Sequence, residues 1–210
     1  MTRAQDQTWR KLIVATLLTL PALSPLPVWA ATRRQRAQTT FERAQRLRQE
    51  LASQPADTRL KAQYERVIRT FRSVHRADPR YGRAPVALAA VGELYAEMGR
   101  RFSNPYYHRA AIAAYEYLIA QYPRAGMSRE ALFAIGQVLL TDLDRPEEAR
   151  KVFQQFIDKY SRSKRAEEAR EQLRTIERSL AEREAAKARV AASLVAGRLA
   201  EVTAVRRWVG

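Results

Sequence analysis

The residues able to do chemistry are few. The chain has two histidines, His75 and His108, and no cysteine. Cys-ligated zinc, a thiol nucleophile, a lipidated N-terminal Cys and a disulfide scaffold are therefore excluded. A hydrolytic zinc needs ligands converging on one metal and an open position for water. His75 follows Val74 and His108 follows Tyr106-Tyr107, each without a metal-binding motif around it, so both are expected to be structural. The pairs Glu147-Glu148 and Glu167-Glu168 stand at expected helix starts, where a carboxylate favours the dipole rather than acid–base work. There is no Gly-x-Ser-x-Gly elbow and no phosphate-binding Gly loop. No catalytic, metal or cofactor-binding residue is assigned, and binding is the chemistry that remains. One segment suits it: the run from Arg100 to His108 reads as a long loop in which Arg100 and Arg101 adjoin Phe102, Tyr106 and Tyr107. Cations beside aromatics could grip a sugar or a peptide, or the rings could staple the loop to its own hairpin.

The elements that must position such residues are helical. The chain has 210 residues, only 7 Gly, 46% hydrophobic and 29% charged residues. That suffices for one core, and abundant Ala, Leu, Arg, Glu and Gln favour helix over strand. Residues 1–30 read as an export signal: Arg3, Arg10 and Lys11 precede the apolar run Leu12–Leu20, and Pro21, Pro25 and Pro27 lead to Val28-Trp29-Ala30. Cleavage is expected after Ala30. The alternative, a retained anchor, is disfavoured because the apolar run is well short of the ~20 residues a span requires. The mature chain would be periplasmic or extracellular, with no transmembrane span.

The whole chain carries 38 Lys+Arg against 22 Asp+Glu; without residues 1–30, which hold three basic groups and one acid, the net charge is +14. Export argues against nucleic acid as the partner, and no zinc finger or RNP-type aromatic motif accompanies the arginines. They read as a solvated surface, with weak contact to anionic envelope polymers as the functional alternative.

An internal repeat is the most specific signal. Ala44, Leu47, Leu51, Val67, Phe71, Val74 and Pro79 recur 44 residues on as Leu88, Val91, Tyr95, Ala111, Tyr115, Leu118 and Pro123. A third set is Leu132, Ile135, Leu139, Ala149, Phe153, Phe156 and Ser161. Tyr95 to Ala111 is six residues longer than Leu139 to Ala149, and the excess is expected in one loop. Each unit holds two apolar groups at spacings of three and four, so each predicts a helix hairpin. Gly99 is expected to end one helix, Ser128 to cap the next, and Asp144-Arg145-Pro146-Glu147 has capping-box spacing. Gly92 and Gly136 hold one position in two units, where a missing side chain allows close helix approach; Arg48 holds it in the first. After Ser161, Ala166, Ala169, Leu173, Ile176 and Leu180 predict a capping helix.

These units resemble the tetratricopeptide repeat. Its large-x-x-Leu-Gly-x-x-Tyr run stands here as Leu88, Val91, Gly92, Tyr95 and as Leu132, Ile135, Gly136, Leu139. Its second-helix positions stand as Ala111, Tyr115, Leu118, Pro123 and Ala149, Phe153, Phe156, Ser161. The departures are a missing Trp, longer units and a degenerate first unit. The expected fold is all-α: a TPR-like α-solenoid of about three helix hairpins over 31–180, with a charged helical linker over 181–200. Val202, Thr203, Val205, Trp208 and Val209 predict a strand over 201–210, the first of a further domain. The resemblance also implies a partner-binding groove on the first helix of each hairpin: Glu42, Gln45 and Gln49, then Val86, Ala89, Glu93 and Glu97, then Glu130, Phe133 and Gln137. The expectation is a locally acidic groove with an apolar anchor at Phe133, holding a protein or peptide partner.

A wider resemblance covers the signal, the helix Thr39–Leu51, the run Leu94–Phe102 and the stretches AIAAYEYL, ALFAIGQVLL and EEARKVFQQFIDKY. The combination is similar to the N-terminal repeat region of bacterial N-acetylmuramoyl-L-alanine amidases, in which an AMIN-type targeting domain and a zinc amidase domain follow. It implies a peptidoglycan hydrolase whose zinc and catalytic residues lie beyond Gly210, with this region docking a partner in the cell envelope. The alternative is a stand-alone periplasmic repeat adaptor in envelope or outer-membrane biogenesis.

Overall fold

A computed structural model describes the backbone of residues 28–209 and the side chains of residues 32–198 and Trp208. Residues 1–27, which carry nearly all of the expected export signal, and Gly210 lie outside it. Among the described residues there are seven α-helices and no strand: α1 (Val28–Ala52), α2 (Lys61–Ala77), α3 (Ala84–Phe102), α4 (Pro105–Gln121), α5 (Gly126–Gln137), α6 (Pro146–Tyr160) and α7 (Ala166–Val209). Each packs on its neighbour in the chain, and α3 also packs on α5.

The apolar stripes explain the elements. In α2, Tyr64, Val67, Ile68, Phe71 and Val74 share one buried face, and the helix stops where Pro79 holds Asp78 extended at φ −154° and ψ 102°. In α1, Ala37, Phe41, Ala44 and Leu51 do the same, and Pro55 follows its end. α3 is buried on several sides. Leu94 and Met98 join Phe41, Tyr64 and Phe71 in one core, while Leu88, Ala89 and Ala96 join a second with Tyr115, Leu118, Phe133, Phe153, Phe156 and Ile176. Burying each large side chain of this kind contributes about 1.5–3 kcal/mol. α3 is thus the wall shared by two cores, which holds the hairpins together.

The paired glycines mark the closest helix approaches. A Cβ on Gly92 would fall inside the Tyr115 ring contact, 2.6 Å from Cδ1, and one on Gly136 would lie 2.8 Å from Phe153 Cε1. The same contact therefore joins α3 to α4 and α5 to α6. Arg48, at the equivalent place on α1, instead reaches across to Glu93 of α3 at 2.6 Å.

Local details depart from the expectations. Gly99 does not end its helix; α3 runs to Phe102, and a Cβ on Gly99 would lie 2.5 Å from His108 Nε2, so this glycine makes room for an imidazole. The helix ends on Ser103, left-handed at φ 47°, whose place lets the Asn104 amide donate to Gly99 O at 3.1 Å. Ser128 does not cap α5 but lies buried inside it, its hydroxyl donating to Tyr122 O at 2.6 Å. Asp144, at φ 47°, makes no cap bond for α6, whose first residue is Pro146; its carboxylate accepts from Arg183 at 3.0 Å instead. The six extra residues of the middle unit do not form a loop. Between α3 and α4 only Ser103 and Asn104 are non-helical, so the excess lengthens both helices, whereas α5 closes with the wide turn Val138–Asp142.

The strand expected over 201–210 is also absent: α7 stays helical to Val209. Among the described residues there is no strand for it to pair with, whereas a helix satisfies its own hydrogen bonds, so valine content gives way to continuity with the Ala-rich turns before it. Ala166, Ala169 and Ile176 are buried against α6, with Leu173 and Leu180 half-buried; from Ala181 to Arg198 every side chain is exposed. Among the described residues no helix is long and apolar enough to cross a membrane.

Candidate functional site

The groove residues fall on α1, α3 and α5, as expected, but their chemistry differs. Glu93 pairs with Arg48 at 2.6 Å. Glu97 pairs with Arg59 at 2.6 Å and accepts the Tyr64 hydroxyl at 2.6 Å. Burial and that carboxylate both push the Tyr64 hydroxyl pKa up. Glu130 pairs with Arg165 at 2.8 Å and Arg129 at 3.4 Å, and Glu42 accepts from Gln38 at 3.1 Å. Arginines standing beside these acids offset the local negative charge that the sequence led us to expect. Phe133 is no exposed anchor either. It is 0% exposed, edge-on to Phe153 and Phe156 with ring centres 5.4 and 5.5 Å away, and Arg165 lies 4.7 Å over its face. The reason is that α5 contacts α3, α4 and α6, so Leu132 and Phe133 both turn inward. Gln45 and Gln49, with Val86, border a depression of about 360 Å³ over Phe41 and Phe71, and Gln137 remains exposed.

The aromatic run is a clasp rather than a loop. Arg100, Arg101 and Phe102 form the last turn of α3; Pro105, Tyr106 and Tyr107 form the first turn of α4, which Asn104 caps by accepting the Tyr106 amide at 2.9 Å. Phe102 packs edge-on against Tyr64 at 6.0 Å and tilted against Tyr107 at 6.3 Å. Arg101 donates to the Asp57 carbonyl, and Arg100 pairs with Asp142 at 3.1 Å. These contacts tie three hairpins together, whereas the stapling expected from the sequence is of a loop to its own hairpin. Tyr106 is the exception, 61% exposed.

The histidines sit in different surroundings. His108 is buried against Gly99, its Nδ1 3.4 Å from Asp142 Oδ2 without a well-aligned hydrogen bond. His75 lies between two tyrosines: Nδ1 is 2.7 Å from Tyr122 Oη, and Nε2 is 3.0 Å from Tyr117 Oη. Burial lowers its pKa, so it is neutral at pH 7. The Tyr122 proton goes to Pro79 O at 2.7 Å. Nδ1 must then carry the ring proton, Nε2 must accept, and Tyr117 must donate to it. A backbone carbonyl thus fixes the direction of the whole chain of hydrogen bonds.

This relay borders a feature that sequence reasoning missed, a cleft of about 720 Å³ between α2 and α4 with α3 beneath it. Leu88, Val91, Ala110, Ala113 and Ala114 form an apolar floor. Arg72 and Arg76 from α2 and Arg109 from α4 stand around it with Tyr95, Tyr106 and Tyr117, and no carboxylate lines it. The guanidinium of Arg72 lies 5.4 Å over the Tyr95 ring. The nearest signal in the sequence is Arg72, His75 and Arg76 on one helix face, one turn apart; the other half lies on a helix more than thirty residues away and no spacing rule joins them.

One unit along the chain, the equivalent cleft of about 480 Å³ is lined by Arg109, Arg145 and Lys151 but also by Glu116 and Glu148. Arg145 pairs there with Glu148 at 3.2 Å. The position of Arg72 is taken by Glu116, so the two clefts share a shape and differ in charge. Among the described residues no group of three or more His, Cys, Asp or Glu could hold a metal ion. Compared with known proteins, the chain matches no protein-family profile and no curated protein sequence.

Proposed function

We propose that this chain is an exported partner-binding scaffold of tetratricopeptide type, serving as the docking region of a peptidoglycan N-acetylmuramoyl-L-alanine amidase. The observation that carries the scaffold reading is the repeated contact of Gly92 with Tyr115 and Gly136 with Phe153, equivalent positions in consecutive hairpins. A repeat built on one contact stacks its units in one direction and presents long faces rather than a single pocket. The amidase part of the proposal rests on the resemblance of the repeat run and the N-terminal signal; the tail, helical rather than extended, lends it nothing.

The same repeated contact suits a second reading, a stand-alone periplasmic adaptor. Two measurements separate the proposals. Sequencing the N-terminus of the protein recovered from the envelope fraction is expected to give Ala31 first; an intact Met1 on cytoplasmic protein would overturn export. Reading the genomic frame beyond codon 210 is expected to reveal a strand-rich segment and then a domain with clustered His and Glu. A stop codon there removes the amidase and leaves the adaptor.

A further inference from the structure

The cleft between α2 and α4 carries an inference of its own, resting on the reading of the chain as a binding module but not on the amidase assignment. We propose that it is a docking site for an acidic peptide segment of a partner protein, bound through its carboxylates at Arg72, Arg76 and Arg109 around an apolar side chain.

Charge complementarity is the first argument. Among the described residues none of the three guanidiniums has a carboxylate partner, whereas Arg145 of the equivalent cleft is paired with Glu148. An arginine fork free of internal partners is suited to bidentate carboxylate binding. The equivalent cleft of the next unit, with two glutamates in its lining, has no such excess. The repeat thus supplies its own control: the geometry recurs and the cationic lining does not.

The floor and the relay distinguish a peptide from a simple anion. Alanines of α4 leave an apolar seat that a phosphate would not use and a Leu or Phe side chain would fill. Tyr117 spends its proton on His75 Nε2 and is 46% exposed, so its free lone pairs face outward as an acceptor for a backbone N–H. Sugar hydroxyls, by contrast, are met best by carboxylates, which accept, together with side-chain amides, which donate and accept, and this lining has neither.

The test uses the whole chain and a fluorescein-labelled octapeptide, Glu-Asp-Glu-Phe-Leu-Glu-Asp-Glu, followed by anisotropy at fixed ionic strength. Two variants address the cleft: Arg76→Glu with Arg109→Glu, which reverses its charge, and Ala113→Trp, which fills its floor without changing charge. Arg150→Glu with Lys151→Glu makes the same charge change at exposed positions of α6. Circular dichroism establishes that each variant is folded. Both cleft variants are expected to weaken binding at least tenfold, and the α6 variant by less than twofold. Equal losses in the two charge variants, with Ala113→Trp unaffected, would mean diffuse attraction to a +16 protein and overturn the site. So would equal binding of the Gln/Asn version of the peptide, or displacement of the acidic peptide by millimolar inorganic phosphate or by phosphatidylglycerol vesicles. None of these results bears on export or on the genomic frame, so the two readings fail separately.

Discussion

Replacing Gly92 by Ala tests whether the hairpins are set by the close approach of α3 and α4. A helical Gly→Ala change should by itself stabilise by about 1 kcal/mol. Here the added Cβ would fall 2.6 Å from Tyr115 Cδ1, and Tyr115 is 4% exposed, with core on its other side. Either the ring leaves its rotamer or the helices separate, and overpacking of this kind costs about 1–3 kcal/mol. At so short a distance the upper part of that range applies, about 2–3 kcal/mol, and after the propensity gain the net loss is about 1–2 kcal/mol. Gly136→Ala meets Phe153 at 2.8 Å and should lose less. Gly126→Ala, at the open first position of α5 with nothing within 4 Å, should gain about 0.4–1 kcal/mol through the unfolded chain. Thermal unfolding followed by circular dichroism resolves the series, since each kcal/mol moves Tm by about 2–4 °C at this size. The order expected is Gly126→Ala above the parent, the parent above Gly136→Ala, and Gly92→Ala lowest. Adding Tyr115→Leu should make Gly92→Ala nearly neutral. If Gly92→Ala melts as high as Gly126→Ala, the helices do not meet there and the repeated contact loses its physical basis.

The remaining predictions concern polar groups. Tyr64→Phe removes the bond to Glu97 and should cost about 1 kcal/mol in urea unfolding, and Glu97→Ala should cost more than Glu93→Ala, whose partner bond is a surface pair worth about 0–1 kcal/mol. Burial raises the hydroxyl pKa of Tyr64, Tyr115 and Tyr122, so the unfolded chain releases these protons near pH ~10 while the fold retains them. Stability should be complete below that pH and fall above it; urea midpoints at pH 8 and pH 11 that coincide would contradict this. His75 works in the other direction. Its lowered pKa means that the unfolded chain takes up the proton first as pH drops below ~6.5, so the contribution present at pH 7 is lost on acidification. His75→Phe should flatten that part of the profile, and an NMR titration of the ring should give a midpoint below that of a free histidine.

Much of the fold was legible because helix burial follows spacing. The stripes through Phe71, Tyr115 and Phe153 are buried where their period puts them. The failures have specific causes. Gly99 carries the same signal whether it ends a helix or admits a neighbour, and only the position of His108 decides between them. Phe133 follows Leu132, and a stripe rule assigns one of two adjacent residues to the surface; a helix flanked by three others buries both. Spacing along one helix places the acidic residues of the groove but not their arginines, which come from elsewhere in the chain: Arg59 lies 38 residues before Glu97 and Arg48 lies 45 before Glu93. The cationic cleft was invisible for the same reason, being a property of two helices and of what is missing between them.

The exposed part of α7 has a thermodynamic consequence. The helix is 44 residues long, about 66 Å, and from Ala181 to Arg198 every side chain is exposed, with the Arg183 pair to Asp144 at 3.0 Å tying it to the bundle near its start. An isolated helix must first nucleate, which is improbable by a factor of ~1000, before it can propagate. Here Ala166, Ala169 and Ile176 fix the first turns on α6, so the free portion begins from a formed end and needs propagation alone. Alanines, with pairs such as Glu184 and Lys187 at 2.8 Å, keep the propagation favourable. Such a rod does not share the cooperativity of the bundle that seeds it. On heating it should shorten progressively from its far end, giving a sloping loss of ellipticity before the bundle melts, and its amides should exchange with solvent in a gradient running outward from Leu180.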